Sequence, residues 1–182
     1  MTIDAPTTQE TLLPCFSEAM ISERVAALGQ TLTERFHKDR VVALCVLRGA
    51  CFFFADLVRQ MRIPDLVLDF VGLSSYGSGT ASSGQVEITR WPALDMPDAH
   101  CVVVEDIVDT GFSMQKLLAT LSTYPLQSVT VCTLLDKRER RACAVPIDYA
   151  CFEVESGFFV GYGLDYAQKY RHLPAIYTLT RA

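Results

Sequence analysis

The hydrophobic residues of this chain follow two patterns that take turns along the sequence. Continuous apolar runs rich in valine are typical of strands covered on both faces, whereas apolar residues three or four positions apart are typical of helices with one buried face. The runs lie at 41–47, 66–71, 102–106 and 129–135. The helical spacing lies at 25–36, 54–61 and 114–121. This alternation predicts an α/β fold with a central parallel sheet flanked by helices.

The two ends of the chain depart from this alternation. Ser22 precedes the first helical pattern and is the expected N-cap, because serine is favoured at that position. Short β-like segments follow Pro146, at 149–154, 158–160 and 176–179. We expect residues 146–182 to form a small hood subdomain together with N-terminal residues, and residues 1–14 to be a flexible tail. Residues 1–182 would then form a single domain.

The composition narrows the class of protein. The chain has 182 residues, half of them hydrophobic, which suits one compact domain with a filled core. The net charge of -5 disfavours nucleic-acid binding, and the most apolar stretch is too short to cross a membrane. Seven cysteines without a C-x-x-C pair indicate a reducing cytoplasm, and three scattered histidines argue against zinc. We therefore expect a cytoplasmic protein whose metal, if it has one, is bound by oxygen.

One apolar run ends in acidic residues, and this is the most informative segment of the chain. Glu105 and Asp106 end the run, Asp109 follows, and Thr110 to Ser113 open a helix. Carboxylates are suitable ligands for Mg²⁺, which usually keeps water and substrate phosphates in its coordination shell. Backbone amides at the start of a helix attract phosphate. The segment predicts a site for a phosphorylated sugar or nucleotide; the alternative is a strand end whose acids are merely solvated.

Other polar residues also follow apolar runs. Arg48 and Gly49 follow the first run, Lys137 follows the fourth, and residues 72–87 are rich in serine and glycine. Ligands of open α/β sheets bind outside the carboxyl ends of the strands. These residues are therefore expected near the acidic segment. For the arginines after Lys137, a solvated loop is as good an interpretation as a role in the site.

The acidic segment resembles the signature of the type I phosphoribosyltransferase family. Glu105-Asp106-x-x-Asp109-Thr110-Gly111 has the form found in the hypoxanthine and guanine branch, and the similarity extends over about residues 20 to 180. The resemblance implies the family's fold, with a hood over a parallel sheet. It also implies purine salvage: Mg²⁺-dependent transfer of 5-phosphoribosyl from phosphoribosyl pyrophosphate (PRPP) to hypoxanthine or guanine, giving IMP or GMP. The resemblance further implies a homodimer or homotetramer.

The resemblance also implies roles for individual residues that bind PRPP. Glu105 and Asp106 would address the ribose hydroxyls and Mg²⁺, and Asp109 would accept a proton from the purine. The 5′-phosphate would lie in the segment Asp109, Thr110, Gly111, Phe112 and Ser113. Phe112 departs from relatives that carry a cation there, so phosphate binding would rely more on the backbone.

Pyrophosphate and purine would be held by residues from other segments. Arg48, Gly49 and Arg171 would approach the pyrophosphate, while Ser75 and Tyr76 would close over the reacting centre as part of a mobile loop. In the purine site, Lys137 would hydrogen-bond the 6-oxo group, Phe158 would stack on the ring, and the Phe159 backbone would contact the purine edge. Asp165 would help to hold Mg²⁺ near the purine.

Three other functions fit the same sequence features. A xanthine or a pyrimidine phosphoribosyltransferase would share every phosphate contact and differ only in the base pocket. A nucleotide-responsive RNA-binding regulator on the same fold would need a basic face, which the acidic net charge does not supply.

Overall fold

The computed structural model describes residues 10–75, 86–92 and 97–181. The strands are β1 Glu10–Phe16, β2 Arg40–Leu47, β3 Asp65–Ser75, β4 Val86–Arg90, β5 His100–Val108, β6 Ser128–Lys137, β7 Tyr149–Val154, β8 Phe159–Val160 and β9 Ile176–Arg181. The helices are α1 Glu18–Phe36, α2 Cys51–Gln60 and α3 Phe112–Leu121. The four predicted apolar runs lie in these strands and the three predicted helical segments lie in these helices, except that Met61 follows the end of α2 as its C-cap.

The central sheet has six strands in the order β4-β3-β2-β5-β6-β7. Its strands pair in parallel, except β4, which pairs antiparallel with β3 at the edge. The predicted α/β fold is confirmed, although the sheet is mixed. From β2 the chain continues to β3 on one side and later to β5 on the other. The topological switch point therefore lies between the neighbouring strands β2 and β5, and such sheets bind ligands outside the carboxyl ends of the strands at this point.

Helices cover both faces of this sheet. Side chains alternate along β2: Ala43 and Cys45 belong to the core beneath α1 and α2, whereas Leu44 and Val46 belong to the core beneath α3. Because successive residues of a strand point to opposite faces, strands buried on both sides need the continuous apolar runs seen in the sequence. In the described ranges, no helix is long and apolar enough to cross a membrane.

A second, smaller sheet forms the hood, with the antiparallel order β1-β9-β8. Residues 10–14 belong to its first strand, in which Leu12 pairs with Leu179, so the tail predicted for residues 1–14 is wrong over this part. The tail was predicted from the polar composition of residues 1–14, which gives no sign that part of them pairs with a strand at the other end of the sequence.

The predicted hood boundary is also corrected. Tyr149–Val154 does not belong to the hood: it is β7 and pairs in parallel with β6 in the central sheet. Cys151 and Phe152 pack in the core beneath α1 and α2. The hood therefore takes its C-terminal part from residues after Val154.

The first helix begins earlier than its sequence pattern predicts. Its N-cap is Ser17, whose hydroxyl accepts a hydrogen bond from the Met20 amide at 3.3 Å. The predicted cap, Ser22, is exposed within the helix. The apolar pattern was read from Val25 onward, but Ile21 already belongs to the buried face and moves the start back by one turn.

Candidate active site

Three strand ends bring the predicted site residues to one edge of the central sheet. Leu47 ends β2, Val108 ends β5 and Lys137 ends β6. Arg48 and Gly49 directly follow the first of these ends. The edge also includes the switch point between β2 and β5, so the expectation that these segments meet at one place agrees with the structure.

Gly49 lies directly against the carboxylate of Asp106. A Cβ atom at residue 49 would overlap the Asp106 carboxylate, so a glycine is the residue that allows this approach. The peptide bond between Leu47 and Arg48 is cis. On its other side, the Gly49 carbonyl oxygen occupies the space that a side chain at Gly163 would need. The hood, the loop after β2 and the end of β5 therefore meet at Gly49.

Glu105 and Asp106 form an acidic pair at the carboxyl end of β5. Glu105 is buried, and burial together with the charge of Asp106 raises its pKa well above the ordinary value. Burial also raises the pKa of Asp106, although hydrogen bonds and the charge of Arg171 act in the opposite direction. Glu105 Oε1 accepts a hydrogen bond from the Asp106 amide at 3.1 Å. Burial of the two carboxylates lowers the stability of the free protein when they are ionised, and a bound cation would offset this loss.

This acidic pair has the chemistry that suits Mg²⁺, since one or two carboxylates with substrate oxygens satisfy that ion. The third predicted ligand, Asp165, is held elsewhere: its Oδ1 lies 2.7 Å from Arg171 Nη2. Over the part of the chain that is described, no group of three acidic, cysteine or histidine side chains is arranged to hold a metal. Glu105, Asp106 and Asp165 do not form one ligand cluster here.

The segment after Asp109 leads into the N-terminus of α3. Gly111 is the N-cap, with a φ of 90°, and it has no side chain to bond the first amides of the helix. Those amides are therefore left for a ligand. Thr110, Gly111 and Ser113 line a cavity of about 100 Å³ with Glu105 and Asp109. Phe112 is the first residue of α3, and its neutral side chain adds no positive charge to this site.

Lys137 and Asp109 face each other beside this cavity. Lys137 is only 6% exposed, and its Nζ lies 3.6 Å from Asp109 Oδ2. Arg140 Nη1 approaches the same oxygen at 3.7 Å. The other carboxylate oxygen of Asp109, Oδ1, is buried and has no hydrogen-bond partner. A buried polar oxygen without a partner is unusual in a native protein and is a place for a ligand donor.

The two phenylalanines of the hood have different surroundings. Phe158 is 45% exposed and contacts Tyr166 edge to face, with ring centroids 5.7 Å apart. A flat ligand could therefore cover its ring. Phe159 is buried in the core and pairs with Thr178 in the hood sheet, so its side chain is not available to a ligand. The contact of its backbone with the purine edge stays a prediction.

Two predicted residues fall at the edge of what is described. Gly72 to Ser75 belongs to β3, where Ser75 pairs with Val86 of β4, so these ends of the predicted loop 72–87 are strands. Tyr76 lies outside the described residues.

Sequence reasoning missed Arg141 and Asp136. Arg141 belongs to a charge run for which a solvated loop was one of two open interpretations, but its side chain is mostly buried and bonds the Asp136 carboxylate. Asp136 is itself buried at the end of β6. The available sequence signal is an acid directly after an apolar run and followed by several arginines, but it does not show that the acid is buried or which arginine pairs with it.

Comparisons with known proteins show the family to which the chain is similar. Residues 18–167 match the family described as the phosphoribosyl transferase domain. The hypoxanthine phosphoribosyltransferase of Escherichia coli (strain K12) is 42% identical over 172 residues, covering 93% of this chain and 94% of that protein. The hypoxanthine-guanine-xanthine phosphoribosyltransferase of Tritrichomonas foetus is 41% identical, covering 88% of this chain and 87% of its own. A hypoxanthine phosphoribosyltransferase structure from Staphylococcus aureus has a TM-score of 0.87 at 32% identity, covering 92% of this chain and 90% of that one.

Replacing the buried acid Glu105 with glutamine is expected to stabilise the free protein. At pH 7 the raised pKa of Glu105 means that its ionised form destabilises the fold, and Glu105→Gln should raise the free energy of unfolding by about 1 kcal/mol. The gain should shrink as the pH falls, because Glu105 then becomes protonated. Urea unfolding at several pH values measures this. Glu23→Gln, at an exposed position of α1, is the control; a loss of stability in Glu105→Gln at pH 7 would contradict the account.

Proposed function

The chain belongs to the phosphoribosyltransferase family, and we propose that it works in purine salvage as a hypoxanthine (guanine) phosphoribosyltransferase. As a pentosyltransferase, it transfers the 5-phosphoribosyl group of PRPP to hypoxanthine, guanine or both. The products are IMP or GMP and pyrophosphate. A relative of that name with 42% identity over nearly the whole chain supports this activity.

The pairing of Lys137 with Asp109 is the observation that carries the choice of base. The ammonium group of Lys137 can only donate hydrogen bonds, so it binds a 6-oxo group and meets the 6-amino group of adenine with donor facing donor. The Asp109 carboxylate, whose Oδ2 lies within 3.7 Å of Lys137 Nζ and Arg140 Nη1, can accept the proton of a purine ring nitrogen. A 6-oxopurine therefore satisfies both side chains and replaces their contact with each other. The exposed ring of Phe158 supplies a stacking surface.

The PRPP half of the site uses the residues around the acidic pair. The amides and hydroxyls of residues 110–113 receive the 5′-phosphate, and Glu105 and Asp106 orient the ribose hydroxyls. Arg48 and Arg171 line one cavity next to the loop that contains Gly49, and their positive charges would attract the pyrophosphate. Glu105 and Asp106 would hold Mg²⁺, with Asp165 as the further ligand that the resemblance implies, and the ion would neutralise charge on the leaving group.

The transfer exchanges one bond at the ribose for another. The bond from the ribose C1 to pyrophosphate oxygen breaks, a bond from C1 to a purine nitrogen forms, and Asp109 takes the proton that the purine loses. Developing positive charge on the ribose is favoured by the nearby carboxylates of Glu105 and Asp106. Ser75, at the end of β3, and Tyr76 would help to exclude water, which would otherwise attack the same carbon.

The proposal includes a cytoplasmic homodimer or homotetramer. Seven cysteines that are all unpaired support a reducing compartment. Exposed Phe52 on α2 and Leu68 on β3 are large apolar side chains that self-association could bury. No partner other than PRPP and a purine base is proposed.

The relatives do not favour a pyrimidine enzyme or an RNA-binding regulator, since the named relatives act on 6-oxopurines. Xanthine remains a second candidate base because the protein of Tritrichomonas foetus, 41% identical, has xanthine in its name. The choice concerns the purine 2-position and leaves the reaction unchanged.

A panel of bases tests the proposed activity. With PRPP and Mg²⁺, we expect spectrophotometric assays to show turnover with hypoxanthine or guanine, and rates with adenine or a pyrimidine lower by at least about 100-fold. Equal turnover with adenine would contradict the role of Lys137, and turnover with pyrimidines alone would contradict the proposed function.

Asp109→Asn is expected to slow the chemical step more than it weakens binding. The amide cannot accept the purine proton, so kcat should fall by about 100-fold or more, while the Kd of PRPP should change by less than about threefold. Glu139→Gln is a matched control, because Glu139 Oε2 also lies 3.6 Å from Lys137 Nζ but on the exposed side. Turnover that stays unchanged in Asp109→Asn would remove Asp109 from the mechanism.

A further inference from the structure

The side chain of Arg141 joins the ends of two neighbouring strands. Its Nε donates to the Asp109 carbonyl oxygen at 2.8 Å, and its Nη2 lies 2.7 Å from the Val108 carbonyl oxygen. The same Nη2 lies 3.0 Å from the Lys137 carbonyl oxygen and contacts the Asp136 carboxylate. We call these contacts the Arg141 bridge.

The bridge begins where the pairing of β5 with β6 ends. The last paired residues of these strands are Val108 and Asp136. Asp109 and Lys137, which follow them, are therefore not held at a fixed separation by bonds between their strands. The Arg141 guanidinium donates hydrogen bonds to the backbone carbonyls of both residues. It thereby links the two chain segments in place of the hydrogen bonds that join β5 and β6 earlier in the sheet.

Asp136 keeps the guanidinium in this orientation. Its side chain is only 8% exposed, so an unpaired charge at this position would be costly. Arg138 contacts the other oxygen of the same carboxylate at 3.3 Å, and it also pairs with Glu153. Arg138 bonds neither the Val108 nor the Asp109 carbonyl in the structure as described, and its side chain is 54% exposed. The two arginines share one acid, but only Arg141 reaches both strand ends.

The residues after Arg141 hold the phosphate segment separately. The amides of Ala142 and Cys143 donate to the Thr110 carbonyl oxygen at 3.0 and 3.3 Å. These bonds come from the backbone and do not depend on the Arg141 side chain. Loss of the guanidinium should therefore disturb Asp109 and Lys137 more than it disturbs residues 110–113.

We propose that Arg141, oriented by Asp136, is a positioning residue that sets the separation of Asp109 and Lys137 and thereby the affinity for the purine base. The inference rests on the proposed function, because it concerns the same base pocket. A planar guanidinium with several fixed donors is required, since one ammonium cannot reach carbonyls on two strands and a carboxylate together. A shift of about 1 Å in such a pair is enough to cost a large factor in turnover.

Arg141→Lys separates positioning from folding. The lysine keeps a positive charge beside Asp136, so thermal unfolding should stay close to that of the wild type, but the bonds to the two strand ends are lost. We expect the KM for hypoxanthine to rise at least about tenfold, with kcat lower, and the KM for PRPP to change less than about threefold. Arg141→Met should show the same base-specific loss together with lower thermal stability.

Arg138→Gln is the matched control, because it removes the other arginine from the same carboxylate. It should leave the KM for hypoxanthine within about twofold of the wild type. The proposal would be overturned if Arg141→Lys matched this control, or if both KM values rose together, as expected from general loosening. A wild-type protein without transfer to any 6-oxopurine would instead refute the proposed function, and the inference with it.

Discussion

The contact between Gly49 and Asp106 is the constraint on which the site depends. Gly49 follows β2, Asp106 lies at the end of β5, and the absence of a side chain at residue 49 lets the loop rest against the carboxylate. Gly163 of the hood packs on the carbonyl of the same glycine, and Arg171 Nη1 donates to the Gly163 carbonyl oxygen at 2.6 Å. Three segments far apart in the sequence therefore meet at the switch point of the sheet, where a ligand can touch all of them.

Charge is divided across this edge in a way that fits two substrates. The acidic pair Glu105 and Asp106 lies at the centre, where burial raises both pKa values and makes the free protein less stable than it could be. Cations lie on either side: the charge of Arg171 acts on Asp106, and Lys137 and Arg140 lie near Asp109. A phosphorylated substrate with its divalent ion and a 6-oxopurine would together satisfy these groups. The cost that the free protein bears is the usual sign of a site built for its ligand.

The sequence predicted what local patterns determine. A continuous apolar run such as Val41 to Leu47 is buried only if the strand is covered on both faces, so the central strands could be predicted. The common location of Arg48, Glu105 and Lys137 at the carboxyl ends of these strands could be predicted as well. Strand partners could not, because pairing is decided over long distances: β1 joins β9, and β7 joins the central sheet. Nor does a charge run reveal which arginine turns inward. Arg141 was missed because the buried acid that it meets is visible only in the folded chain.

The central claim is that this edge binds PRPP together with a divalent ion. Calorimetric titration of the folded protein with PRPP, in the presence and absence of Mg²⁺, tests it most directly. The account predicts saturable binding of one PRPP per chain with Mg²⁺, and binding at least about tenfold weaker without it, because Glu105 and Asp106 then repel the pyrophosphate. Absence of binding with Mg²⁺ present, or equal affinity without it, would contradict the account.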